Sequence, residues 1–255
     1  MSDEVAELKK VVESLQKEVS RLADEGEITK LQYKYGYYLD KCLYKEVYEL
    51  YSNSPDTFVE FVGGRYKGKA GVGRLYLDRF ANAFVKGRNG PVHGFLLDHD
   101  QMQGIVDIDP SGKTAKARFR ALMSAGTHKS VAETHPRGLV QWWEGGVYEN
   151  EYIKEDGVWK IWKLRYFPFW HAAFDKGWSN KEIGELNPFG TTTFPTDPSG
   201  PDEIVEQVML WPDTRVVPFH YTHPVTGEQV KDDDLRAPAW GEDVSTSLPA
   251  LKLNY

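Results

Sequence analysis

Apolar residues near the start of the chain recur in steps of three and four. Val5, Leu8, Val12, Leu15, Val19 and Leu22 take alternate a and d places of a heptad. The spacing predicts a helix over residues 1–25, either one strand of a coiled coil or an amphipathic helix lying on its own domain. Valine at a with leucine at d favours two-stranded pairing. Helical spacing continues from Glu27 to Ser52, until "NSPD" (53–56) breaks it. "TFVEFVGGRYKG" then alternates like a strand with a turn at Gly63–Gly64. "KAGVGRLYLDRFANAF" returns to helical spacing, and "GRNGP" (87–91) closes it. Strands follow: "VHGFLLDHDQMQGIVDID", "KTAKARFRALMSAG", and a hairpin of "GLVQWWEGGVYENEYIKED" and "GVWKIWKLRYFPFW" across "EDG". Helices followed by a run of antiparallel strands indicate α+β architecture.

The order divides the chain into a heptad-patterned helix (1–25), an α+β domain (26–178) and a C-terminal arm (179–255). Nine of the 14 prolines lie in the arm, yet it keeps Phe189, Phe194, Trp211, Phe219, Tyr221 and Trp240. A solvated tail would lack such aromatics, so the arm is expected to pack on its own domain or on a neighbouring subunit.

Composition narrows the function. The formal net charge is −7 with basic residues scattered, which gives no footprint for nucleic acid and no polybasic signal for anionic membranes. Apolar runs are too short to span a bilayer, and the start "MSDEVAELKK" lacks a signal-peptide core. One cysteine, Cys42, permits neither an internal disulfide nor a thiolate metal site. A cytoplasmic protein without membrane or nucleic-acid partners is expected.

Candidate chemistry begins in "YGYYLDKCLYKEVYELY" (35–51). Helical spacing places Asp40 beside Tyr37, Leu43 and Tyr44, with Tyr35 as a candidate hydrogen-bond donor. A carboxyl group in such surroundings would have a raised pKa and exchange protons near neutrality. His93 and His99, six apart in an extended stretch, should face the same side and are candidate bases. Asp98 and Asp100 have the opposite parity, so no metal is expected. Arg79 and Arg165 are candidates for gripping a phenolate or developing oxyanion. One of Trp142 and Trp143 must face inward, and Trp143 is the candidate carried forward. Tyr148 and Asn150 share a face with Tyr152, and His171 lies near the barrel mouth. Arg118 and Arg120 should face away from any cavity.

The "Y…LD" of the first domain helix, the histidine before "IVDID" and the "YENEY…DGVWKI" hairpin resemble the nuclear transport factor 2-like superfamily. That group includes scytalone dehydratase, bile-acid dehydratases, steroid isomerases and polyketide cyclases. The resemblance covers roughly residues 25 to 172 and implies a cone-shaped barrel, a curved antiparallel sheet packed on N-terminal helices. It implies Tyr35, Asp40 and a histidine, His99 with His93 as rival, as the catalytic set. Family dehydratases often carry a second aspartate eight residues after the alanine matching Ala115. That place is Met123 here, a lining residue rather than a second acid. "NGPVHGFLLDHDQMQ", "QWWEGGVYEN" and "WHAAFDKGW" are similar to sphingomonad-type diarylpropane lyases. The resemblance implies a cofactor-independent lyase that eliminates the benzylic hydroxyl of a bulky phenolic alcohol and releases formaldehyde to leave a stilbene. Alternatives are a dehydratase or isomerase of a hydroxylated polycyclic compound, and a non-catalytic small-molecule-binding barrel. A homotrimer is expected by resemblance, although the heptad leans towards dimers.

Overall fold

The computed structural model describes residues 2–180, 191–205, 211–237 and 249–253. Phe189 and Trp240 lie outside the described residues. Helices come first: α1 (Ser2–Asp40) and α2 (Tyr44–Glu49). Two short strands, β1 (Phe58–Phe61) and β2 (Gly64–Lys67), lead into α3 (Gly68–Gly73), which runs through a π-helical segment (Arg74–Phe80) into α4 (Ala81–Val85). Four long strands follow: β3 (Phe95–Ile108), β4 (Thr114–Thr127), β5 (Gln141–Glu155) and β6 (Val158–Ala173), with a short β7 (Glu203–Ile204) from the arm. They form one seven-stranded sheet in the order β3-β4-β5-β6-β1-β2-β7. Every junction is antiparallel except β1–β6, which is parallel.

The sheet curls without closing, and the helices pack their apolar faces into its concave side to make the α+β cone. Register shifts bend it between Met102 and Ile105, between Gly145 and Gly146, and between Glu151 and Tyr152. The "GG" of β5 is required at its bend. A Cβ on Gly145 would meet the Trp170 indole at 2.6 Å, and one on Gly146 the Phe167 carbonyl oxygen at 2.6 Å.

The helix of residues 1–25 does not end there. α1 is a single 39-residue helix, about 58 Å long at the usual rise, and Gly26 sits in it with open space around its Cα. One glycine costs a helix only about 1 kcal/mol, which its neighbours offset. The break falls instead after Asp40, where Cys42 adopts a left-handed φ of 52°. It splits the helix expected over 27–52 in two. From Asp24 onward α1 is tied to the sheet: Asp24 accepts from Trp159 Nε1 at 2.8 Å and Lys154 Nζ at 2.6 Å. Before that point the heptad side chains are 50–65% exposed. This stripe does not lie on its own domain.

The described parts of the arm pack on the convex face and the open edge of the sheet. Val217 packs with Val147 and Phe167, Arg118 donates to the carbonyls of Val217 and Pro218, and β7 extends the sheet beside β2. His220 is held between Glu149 and Asp107. Arg118 itself pairs with buried Glu149, away from the concave side as expected. Among the described residues no helix is long and apolar enough to cross a membrane.

Candidate active site

The concave side encloses a cavity of about 350 Å³. Alternation along the strands determines what reaches it. On β3 the inward positions include Leu97 and His99, on β4 Met123, and on β5 Trp142, Glu144 and Tyr148. After its bends, β6 contributes Tyr166 and His171. The register sets His99, Met123, Glu144 and His171 in one row across four adjacent strands. The opposite wall is mostly aromatic, with Tyr35 of α1, Tyr44 of α2, Phe61, Tyr76, Phe80 and Phe84 beside Leu39.

Buried hydroxyls link these walls. Tyr76 is bonded to Tyr35 at 3.0 Å and to Tyr51 at 2.9 Å. The Tyr35 and Tyr148 hydroxyls are close enough to affect each other's acidity, with their rings edge-to-face at 5.9 Å. Tyr148 in turn reaches His99 Nε2 at 3.4 Å. Burial raises the Tyr35 phenol to about 12, opposed by its bonds to Tyr76 and Tyr148. All these phenols are therefore protonated near neutrality. His99 is buried, and desolvation alone lowers its pKa to about 4, so the imidazole is neutral. Its Nδ1 is buried and has no hydrogen-bond partner among the described residues.

Asp40 occupies a different place from the one expected. Tyr35 and Asp40 are five residues apart, which turns their side chains about 140° from one another on an α-helix. Tyr35 lines the cavity, whereas Asp40 lies outside it in a shallow depression with Tyr33, Tyr37, Asp98 and Asp100. Its Oδ1 accepts the backbone N–H of His99 at 2.9 Å. Its pKa is raised to about 6, chiefly by burial, while the His99 N–H opposes the shift and the charges of Asp98 and Asp100 add to it. Asp40 thus supports the peptide of His99 from behind and does not touch its ring.

Other expectations are corrected as well. His93 is exposed in a turn at Gly94 (φ 76°), before β3 begins, and so shares no strand face with His99. Trp143 points to the convex side and stacks on Phe174 at 5.4 Å, and Trp142 takes the inward place. Asn150 lies deeper than the cavity, in a satisfied network with Gln32, Tyr152 and the backbone of Arg165. Arg79 is held by Asp197 and the Ser199 carbonyl of the arm. Arg165 is buried against Glu151 at 2.9 Å, so neither arginine is available to a ligand in the cone. Tyr35, His99, Met123, Tyr148 and His171 do line the cavity.

Two charged lining residues were not anticipated. Glu144 is a buried carboxylate, and the pKa of Tyr166 is raised first by burial and then by the charge of Glu144. It was legible, since the parity that groups Tyr148 with Asn150 reaches back to Glu144. Arg137 lies in the loop between β4 and β5, where no periodicity points to it. Among the described residues no three His, Cys, Asp or Glu side chains group as metal ligands would. The arrangement offers a neutral base open at Nδ1 and a chain of phenolic donors within an aromatic enclosure.

The chain resembles several solved structures over most of their length. A Novosphingobium aromaticivorans protein assigned as a scytalone dehydratase matches at 17% identity and TM-score 0.49, covering 68% of this chain and 97% of that one. A type 3 hexachlorocyclohexane dehydrochlorinase from Novosphingobium barchaimii matches at 18% identity and TM-score 0.48, covering 62% and 94%. A nuclear transport factor 2-like protein of Salmonella enterica serovar Typhimurium matches at 16% identity and TM-score 0.45, covering 56% and 89%. No curated protein matches the chain. The SnoaL-like domain model matches residues 20–165, from just before the anchored half of α1 into the first half of β6, and the chain belongs to that family, with its nuclear transport factor 2-like fold.

Proposed function

We propose that this protein is a cofactor-independent lyase acting on a bulky phenolic alcohol of the diarylpropane type. It eliminates the benzylic hydroxyl and releases formaldehyde, leaving a stilbene. The observation that carries this reading is His99: buried, neutral, open at Nδ1 and joined through Tyr148 to the tyrosine hydroxyls of an aromatic cavity. Aromatic walls suit a flat phenolic substrate, and burial keeps the base in its proton-accepting form at neutral pH.

In the proposed sequence, His99 takes the phenolic proton. The electron pair moves through the ring and expels the benzylic hydroxyl, which leaves as water with a proton from the phenol chain ending at Tyr148. A quinone methide results. Removal of the proton from the terminal hydroxyl then breaks the adjacent C–C bond. Its electrons restore the aromatic ring, formaldehyde departs and the phenolate regains a proton. The overall products are one water, one formaldehyde and one stilbene. The developing phenolate offsets the low basicity of His99, because a neighbouring negative charge favours imidazolium. Glu144, two strands from His99 in the same row, takes part in the second proton transfer in this scheme. Asp40 is a positioning residue in this scheme.

Dehydration of a compact hydroxylated ring system is the second reading. It needs only the first half of the sequence, and a cavity of about 350 Å³ lies at the small end of ligand sites. Incubation with a phenolic diarylpropane diol, a formaldehyde assay and product mass separate the two. Deformylation loses one carbon and dehydration loses none. Tight binding without turnover of either compound class would leave a binding barrel in place of a lyase.

A further inference from the structure

The most distinctive group that the proposed reaction does not use is Arg137. Its guanidinium lies 4.9 Å from the centre of the Trp142 ring and 5.4 Å from that of Phe84, both cavity-lining residues. No carboxylate pairs with it among the described residues, in contrast to Arg65, Arg74, Arg79, Arg118 and Arg165, which all have acidic partners. Burial is what lowers its pKa, with no contribution from a neighbouring charge. An arginine carries five donors in a planar fork suited to carboxylate, and here the fork is unfilled at the edge of an aromatic enclosure.

The loop that carries it is fixed. His135 Nδ1 accepts the backbone N–H of Arg137 at 3.2 Å, which leaves Nε2 to donate to the Phe84 carbonyl at 2.9 Å. The imidazole stacks on Phe95 at 5.2 Å. On the other side of Arg137, the Gly138 carbonyl accepts from the Thr127 hydroxyl, and the Gly138 N–H donates to the His135 carbonyl at 3.0 Å. A fixed loop presents the cation at little ordering cost to a ligand.

The strands fix its height in the cone. Trp142, beneath Arg137, is two residues before Glu144 on β5, a step of about 7 Å along a strand. Arg137 therefore sits one row nearer the mouth than His99, Met123, Glu144 and His171.

We infer that Arg137 is a recognition site for a carboxylate on the substrate, so that the natural substrate is an aromatic alcohol bearing an acidic group on the ring nearest the cavity mouth. The inference rests on the aromatic-substrate reading above and adds the charge of that substrate. The test uses the full chain and two planar probes, stilbene-4-carboxylate and stilbene-4-carboxamide, titrated by calorimetry. The carboxylate should bind the wild type roughly 10- to 100-fold more tightly, as expected for a charge-assisted pair. Arg137→Met should abolish that preference by weakening the carboxylate, and Arg137→Lys should restore part of it. The carboxamide serves as the internal control for an intact cavity. Equal affinity of the two probes for the wild type, or a preference that survives Arg137→Met, overturns the inference. In both cases carboxamide binding, and formaldehyde release from a neutral diol, would leave the lyase reading standing. Failure of both probes to bind would overturn the two together.

Discussion

The buried imidazole of His99 and the half-buried carboxyl of Asp40 meet at one peptide group, and they make stability depend on pH in opposite directions. His99 titrates at about 4 in the folded protein against an ordinary 6.5. Between those values the unfolded chain binds the proton and the folded protein does not, so stability falls as pH drops from 6.5 to 4. At about 1.4 kcal/mol per tenfold change in proton affinity, the loss is on the order of 3 kcal/mol once pH 4 is reached. Asp40 titrates at about 6 against an ordinary 3.8. Here the folded protein retains a proton that the unfolded chain releases, so stability falls as pH rises from 3.8 to 6. Water reaches this carboxyl, and screening reduces its effect to about 1 kcal/mol. Urea unfolding followed by tryptophan fluorescence at pH 4.5, 5.5 and 7 measures both. Relative to the wild type, His99→Asn should gain roughly 2–3 kcal/mol on going from pH 7 to pH 4.5. Asp40→Asn should lose about 1 kcal/mol over the same interval. The opposed slopes are the signature, because general acid destabilisation affects all three proteins alike. A His99→Asn protein that follows the wild type at every pH would show that the imidazole is not held buried and neutral, and the base assigned above would lose its support.

The catalytic assignments give sharper expectations for activity. His99→Asn should lower turnover by roughly 10²–10⁴, whereas His93→Ala should leave it near the wild-type level, because the His93 side chain is exposed ahead of β3; steady-state formaldehyde release checks both. Asp40→Asn should cost about tenfold or less, since it acts only through the His99 peptide, and a loss as large as that of His99→Asn would place Asp40 in the chemistry. Glu144→Gln should slow the second step more than the first, so that an intermediate retaining the terminal carbon accumulates in rapid-quench samples. For the assembly we expect a homotrimer by light scattering. A dimer that dissociates on Leu8→Lys and Leu15→Lys substitution would instead assign the association to the exposed heptad of α1.

Element type was legible wherever the apolar period was long. The four major strands follow their alternation, and the turn at "EDG" falls between β5 and β6 as expected. What sequence could not supply was the pairing of β1 with β6, a parallel junction between segments about 100 residues apart, because the strand pattern carries parity and not partnership. The continuity of α1 through Gly26 was also hidden. Glycine marks a helix end only when the backbone turns left-handed there, and that turn comes at Cys42, a residue type with no preference for it.

The site shows the same division between what a period encodes and what it does not. Parity along β5 carries Trp142, Glu144 and Tyr148 to one side, so Glu144 could be found from the sequence. Tyr35 and Asp40 fit the spacing of five that the family resemblance implies, but on a helix five residues turn a side chain well away from its partner. The carboxylate therefore meets the backbone of His99 while the phenol enters the cavity. Arg79 and Arg165 looked available only because their acids are distant or out of register in sequence: Asp197 lies in the arm, and Glu151 on the neighbouring strand. Charge in a folded cavity is what remains after such pairs form. That remainder is a property of the tertiary structure, and its positive part here falls on Arg137, in a loop whose side chains follow no period at all.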